Sequence, residues 1–214
     1  MTYSFNEIEA MSKRAARGAG FDWGLAEEAG KATRWLSEQG FAGPETLAAL
    51  LTQNDGRPYA SLSPIDVNDV WNASTGTLCP LIAGTALCDL AARLDAGITL
   101  GQTSYPIFLV PFVATAAKIS GTALSLGWDN TEICVSSDGS LSVSDSGDLA
   151  ASVTKAVLCK GTDPSKCTYS YKNRKQDVDA KAWATLGAFA HRTYAPATEE
   201  SRLAGAGAGL SDND

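Results

Sequence analysis

Apolar positions recur at helical spacing through the first third of the chain. Ile8, Met11 and Ala15 fall on one face of a segment opened by Ser4 and Glu7, whose Ser-x-x-Glu spacing is that of a capping box. Gly18 and Gly20 end that segment. Asp22 is placed to cap a second helix, with Glu27 and Glu28 in its early turns and small residues on one stripe, and Gly40 stands as its C′ glycine. Pro44 suits the first turn of a third, short helix that buries Leu47, Leu50 and Leu51. Asn54-Asp55-Gly56-Arg57-Pro58 breaks the pattern, and residues 64–74 read as a turn-rich connector. Pro80 starts a further helix, predicted to run to about Asp95. Its sequence is apolar nearly all round, the pattern of a buried element.

From residue 98 the period shortens. Ile98–Leu100, Ile107–Val110, Ala123–Leu126, Ile133–Val135, Leu141–Val143 and Thr154–Leu158 read as short strands. Ser137-Asp138-Gly139-Ser140 is the strongest hairpin turn, because Asp-Gly supplies positive φ at low cost. Asp179 caps a last helix through about Arg192. The pattern predicts an α+β fold. N-terminal helices and a buried central helix pack on a mainly antiparallel sheet, closed by a C-terminal helix and a Gly/Ala-rich tail. The expected division is a helical subdomain over 1–56, an α+β core over 57–197 and the tail over 198–214.

With 214 residues, 44% of them hydrophobic and 19% charged, the chain can bury a proper core. A net charge of −7 disfavours a nucleic-acid binder, which would carry a basic footprint. The longest apolar run, Pro106 to Ala117, is too short to span a bilayer, and no secretory signal opens the chain. Five cysteines, an odd number, read as reduced thiols in a cytoplasm. Residues 128–152 carry Asp129, Glu132, Asp138, Asp145 and Asp148 and no Lys or Arg. Residues 155–175 carry Lys155, Lys160, Lys166, Lys172, Arg174 and Lys175 against Asp163. Two such segments are expected to pair across strands. The other reading is a basic anion- or RNA-binding face on which Tyr169 and Tyr171 stack.

Candidate chemistry is sparse. His191, the sole histidine, falls at the end of the last helix, where a cation complements the helix dipole; an acid–base role is the alternative. Cys159 and Cys167 flank a hairpin-like loop, but no Cys-x-x-Cys or His pair completes a zinc set, so no metal is expected. Cys79 precedes Pro80 at a helix start, where a thiolate would be stabilised; a buried inert thiol is the plainer reading. Gly18-Ala19-Gly20 lacks the third glycine and the preceding strand of a dinucleotide fingerprint. Gly205-Ala206-Gly207-Ala208-Gly209 lacks the lysine of a phosphate loop.

Asn6–Ala10, Lys13–Gly20 and Trp23–Ala32 together resemble the bacterial DUF3726 family of unknown function, and the tail from Tyr194 to Gly209 is similar to that family's C-terminus. The resemblance implies no activity, cofactor or catalytic residue.

The function expected from these features is that of a small-molecule metabolic enzyme acting on an anionic substrate. The alternative is a non-catalytic accessory subunit or assembly partner of a metabolic enzyme, and a homo-oligomer or a protein partner fits either. The cofactor and the catalytic residues are unknown. If the two glycine-marked ends meet, Arg17, Trp23, Glu27, Glu28, His191, Arg202, Asp212 and Asp214 are the candidate ligand-binding residues, with arginine holding an anion.

Overall fold

The structure is a computed structural model that describes residues 1–143, 148–155, 157–167 and 176–194. The expected Gly/Ala-rich tail, with Arg202, Asp212 and Asp214, lies outside the described residues. So do Tyr169, Tyr171, Lys172, Arg174 and Lys175.

Local signals place the helices. Helix α1 (Phe5–Gly18) opens on a complete capping box. The Ser4 hydroxyl accepts from the Glu7 N–H, while the Glu7 carboxylate accepts from the Ser4 hydroxyl at 2.7 Å and from the Ser4 N–H at 2.8 Å, two bonds that hold it below its ordinary pKa. Helix α2 (Trp23–Glu38) is capped by Asp22, whose carboxylate accepts from Leu25 N–H at 2.8 Å. Helix α3 (Gly43–Asn54) has its proline in the first turn and buries Leu47, Leu50 and Leu51. A single turn, α4 (Tyr59–Leu62), follows the break at residues 55–58. Helix α5 (Pro80–Asp89) buries Leu81, Ile82, Ala83, Gly84 and Leu87, but ends sooner than predicted. The chain tightens into a 3₁₀ segment over Ala91–Ala96.

The predicted strand at Ile107–Val110 is not formed. Pro106–Leu109 is a 3₁₀ turn that runs into helix α6 (Val110–Ser120). A short continuous apolar run is ambiguous between a buried strand and a buried helix. Pro106 and Pro111 both sit in first turns, where proline favours helix, and Gly121 closes α6 in the left-handed region.

Strands β1 (Ile98–Leu100), β3 (Leu124–Trp128), β4 (Thr131–Val135), β5 (Leu141–Val143) and β7 (Val157–Gly161) form one antiparallel sheet in the order β1-β7-β3-β4-β5. The predicted strand at 154–158 is divided. Its start, β6 (Val153–Thr154), pairs instead with β2 (Thr103–Ser104) in a separate ribbon. The hairpin at residues 136–140 forms as expected. Asp138 accepts from the Ser136 hydroxyl and the Ser140 N–H, which pull its carboxyl down to about 2, and Gly139 sits at φ 87°. A second hairpin, turning at Asp129 (φ 46°), joins β3 to β4. Among the described residues the acidic strand β4 and the basic strand β7 do not pair directly, because β3 lies between them. Lys160 stands opposite Ser125, and Glu132 opposite Gly127.

The fold is therefore α+β. Helix α7 (Ala180–His191), capped by Asp179, packs with α1 and α3, and α1 packs along α2. Helices α5 and α6 lie between this layer and the sheet, with α6 against β3 and β4. One hydrophobic cluster runs from Ala15 through Leu36, Leu51, Trp71, Phe108 and Leu126 to Phe189. The start of the chain is tied to the approach to α7 by backbone bonds from Tyr3 to Gln176 and from Val178 to Met1, and Tyr3 stacks on Trp183 at 3.8 Å.

Gly18, expected to end the helix, is still helical and owes its place to packing; the left-handed glycine beyond α1 is Gly20. A Cβ at Gly18 would overlap the Phe189 carbonyl of α7. At Gly30 a Cβ would come 2.9 Å from the Glu9 carbonyl, so α1 and α2 touch backbone to backbone. Gly18→Ala should therefore force α7 away from α1 and destabilise the protein by roughly 1–3 kcal/mol, the range for overpacking a filled site. Urea denaturation followed by circular dichroism checks this; an unchanged midpoint would contradict the contact.

Candidate functional site

The turn between α1 and α2 and the loop between α3 and α4 face each other across a pocket of about 360 Å³. Gly20, Phe21, Asp22 and Leu25 form one side, and Asn54, Gly56, Arg57, Tyr59 and Leu62 the other. Gly20 and Gly56 both have positive φ, which bends the two segments sharply into the walls.

Arg17 and Trp23 support this pocket. The Arg17 guanidinium donates to the Phe21 carbonyl at 2.8 Å and covers the Trp23 ring at 5.1 Å, fixing the turn that carries Phe21 and Asp22. On the opposite wall, Arg192 makes a two-pronged bond to Asp55 (2.7 and 3.0 Å), which ties the α3–α4 loop to the end of α7 and holds the Asp55 carboxyl below its ordinary pKa.

The other candidates are placed elsewhere. Glu27 pairs with Lys13 and Lys31 at 3.5 Å each, and Glu28 with Lys31 at 2.9 Å, on the exposed side of α2. The charge of Lys13, followed by that of Lys31, lowers the Glu27 pKa. His191 is exposed in the last turn of α7, edge-on to Tyr194 at 5.5 Å. The Tyr194 hydroxyl accepts from Arg14 at 3.2 Å. Arg202, Asp212 and Asp214 lie outside the described residues.

Two pocket residues escaped the sequence reading, although both lie in the segment it took as a break. Arg57 lines the pocket and has no ion-pair partner among the described residues. Asn54 is only 5% exposed, yet its Nδ2 has no hydrogen-bond partner. It lines the pocket, and its side chain reaches the Cys79 thiol, a weak acceptor. A buried amide left unsatisfied costs about 1–3 kcal/mol, so the site favours a ligand that supplies an acceptor. The available signal was the polar character of a five-residue break flanked by helices; nothing in it ranked Asn54 or Arg57 above their neighbours.

A larger depression of about 460 Å³ lies on the sheet, lined by Thr99, Ser125, Gly127, Glu132 and Lys160. Asn130 and Glu132 there are already engaged. Among the described residues no group of three or more His, Cys, Asp or Glu could hold a metal ion. No helix among them is long and apolar enough to cross a membrane.

A family model described as "Protein of unknown function (DUF3726)" matches residues 3–79, which contain both walls of the pocket. Over that stretch the chain resembles the DUF3726 family. The match does not include the tail. No curated protein matches the sequence. Among solved structures, malate dehydrogenase from Entamoeba histolytica is similar at 12% identity and a TM-score of 0.45, over 75% of this chain and 48% of that one. The chain thus spans about half the length of that enzyme.

Cysteine chemistry is disfavoured by burial. Cys79 is fully buried at the start of α5, and desolvation raises its pKa to about 11 despite nearby N–H groups. Burial likewise pushes Cys88 and Cys159 to about 12. Below pH 9 these thiols are neutral in both folded and unfolded chains. Above it the unfolded chain loses protons that the folded chain keeps, so stability falls as pH rises toward the folded values. Denaturation midpoints should therefore drop between about pH 9 and pH 11, with a shallower drop in Cys79→Ala. Equal slopes in the two proteins would contradict the assignment.

Proposed function

We propose that this protein recognises a small anionic molecule in the pocket between the α1–α2 turn and the α3–α4 loop, and serves metabolism as an enzyme or ligand-binding component acting on it. The observation that carries this reading is the Arg57 guanidinium, unpaired among the described residues, in one pocket lining with the buried Asn54 amide, which has no nitrogen or oxygen partner among them. A guanidinium offers a fork of donors to an oxyanion, and the amide adds a neutral donor. Phe21, Leu25 and Leu62 would cover the apolar part of such a ligand. Pockets of this kind, mainly apolar with a few convergent polar groups, are the usual form of small-molecule sites.

A thermal-shift screen of metabolite carboxylates and phosphates against the full chain tests the reading. At least one anion should raise the melting temperature, with stabilisation approaching about 2.7 kcal/mol at a hundred times its Kd. Arg57→Gln should abolish the shift while leaving the unliganded melting temperature close to that of the wild type, because Arg57 makes no ion pair within the described structure. A shift that survives Arg57→Gln, or no shift with any anion, would overturn it.

A further inference from the structure

The charges around the pocket specify more than an anion. Its lining holds one cation, Arg57, and one carboxylate, Asp22. A phosphate dianion would meet one guanidinium and a repelling carboxylate. A ligand carrying both a carboxylate and an ammonium group would instead find a counter-charge for each. We propose that the ligand is an apolar amino acid, or a close amino-carboxylate relative, an inference that rests on the anion-binding reading above.

The ligand carboxylate is assigned to Arg57 and to the Asn54 Nδ2. The guanidinium binds carboxylates in a two-pronged geometry, and the buried amide has only the Cys79 sulfur, a weak acceptor, for a neighbour. The ammonium is assigned to Asp22. One oxygen of that carboxylate caps α2 through Leu25 N–H, and a carboxylate has lone pairs enough for a second donor. The apolar side chain is assigned to Ala19, Phe21, Leu25 and Leu62. Arg17 is a positioning residue: by holding the Phe21 carbonyl it sets where Asp22 stands.

The test is isothermal titration calorimetry on the full chain with leucine and phenylalanine. The comparison ligands are isocaproate (leucine without its amine), isoamylamine (leucine without its carboxylate) and inorganic phosphate. At least one amino acid should bind, and removing either charged group should weaken binding roughly tenfold or more, the usual consequence of losing a charge-assisted hydrogen bond. Asp22→Asn is the decisive variant. Asparagine caps helices as well as aspartate, so the fold is kept and circular dichroism should be unchanged. In that variant the preference for leucine over isocaproate should collapse. Should isocaproate or phosphate bind as tightly as either amino acid, in an Arg57-dependent way, the amino-acid assignment fails while the anion site stands. Should none of the five bind, the assignment fails, and the metabolite screen then decides the anion site separately. A preference for leucine unchanged by Asp22→Asn also overturns the assignment.

Discussion

Close contact between helix backbones is the constraint on which the rest of the structure depends. Helix α1 is gripped on two sides, by α7 at Gly18 and by α2 at Gly30. At Gly18 a carbonyl oxygen occupies the space where Cβ would be, and at Gly30 one stands 2.9 Å from it, so a side chain at either site would force the helices to shift. That closeness lets Ala15, Ala16, Ala26 and Ala29 be fully buried with small side chains. It also determines where α1 ends relative to α7, and hence where the turn to α2 emerges. The pocket wall made by Gly20, Phe21 and Asp22 is a direct product of that packing.

Polar groups divide according to what that packing leaves for them. Arg34 joins α2 to α1 through Glu9 and Asn6 and also pairs with Glu38 on its own helix, and Glu27 and Glu28 are taken up by lysines. Such exposed pairs are worth little in stability. Their consequence is that charges dense in the sequence are absorbed on helix surfaces. Arg57 is different: it sits on a short loop with no acidic neighbour one helical turn away, and it lines a pocket. Among the described residues it has no ion pair, so its guanidinium is open to a ligand.

The helices were legible because their ends are written in short-range chemistry. Ser4 with Glu7, Asp22, Pro44, Pro80 and Asp179 each act within one turn of chain, so the fold need not be known to read them. The misreading of Ile107–Val110 has the opposite cause. A run buried on all sides carries no amphipathic period, so its conformation depends on what surrounds it. The divided strand at 153–161 shows the same limit: two consecutive extended pieces joined different partners. Arg17 and Trp23 are legible from the glycine-marked turn, and the structure places them on the Phe21 turn, outside the pocket lining itself. Asn54 and Arg57 read only as a break, because their meaning comes from a wall contributed by residues more than thirty positions earlier.

The sequence by itself determined the α+β class, the helix caps, the hairpin at Asp138-Gly139 and the burial of the α5 region. All of these follow from spacing and from bonds made over three or four residues. Only the tertiary structure decided that β3 separates the acidic strand from the basic one, that α6 is a helix, and that Gly18 faces a carbonyl of α7. It alone brought the 19–25 turn against the 54–62 loop and left a buried amide there without a partner. Those outcomes depend on close packing among segments distant in sequence, and no local pattern encodes which of them will touch.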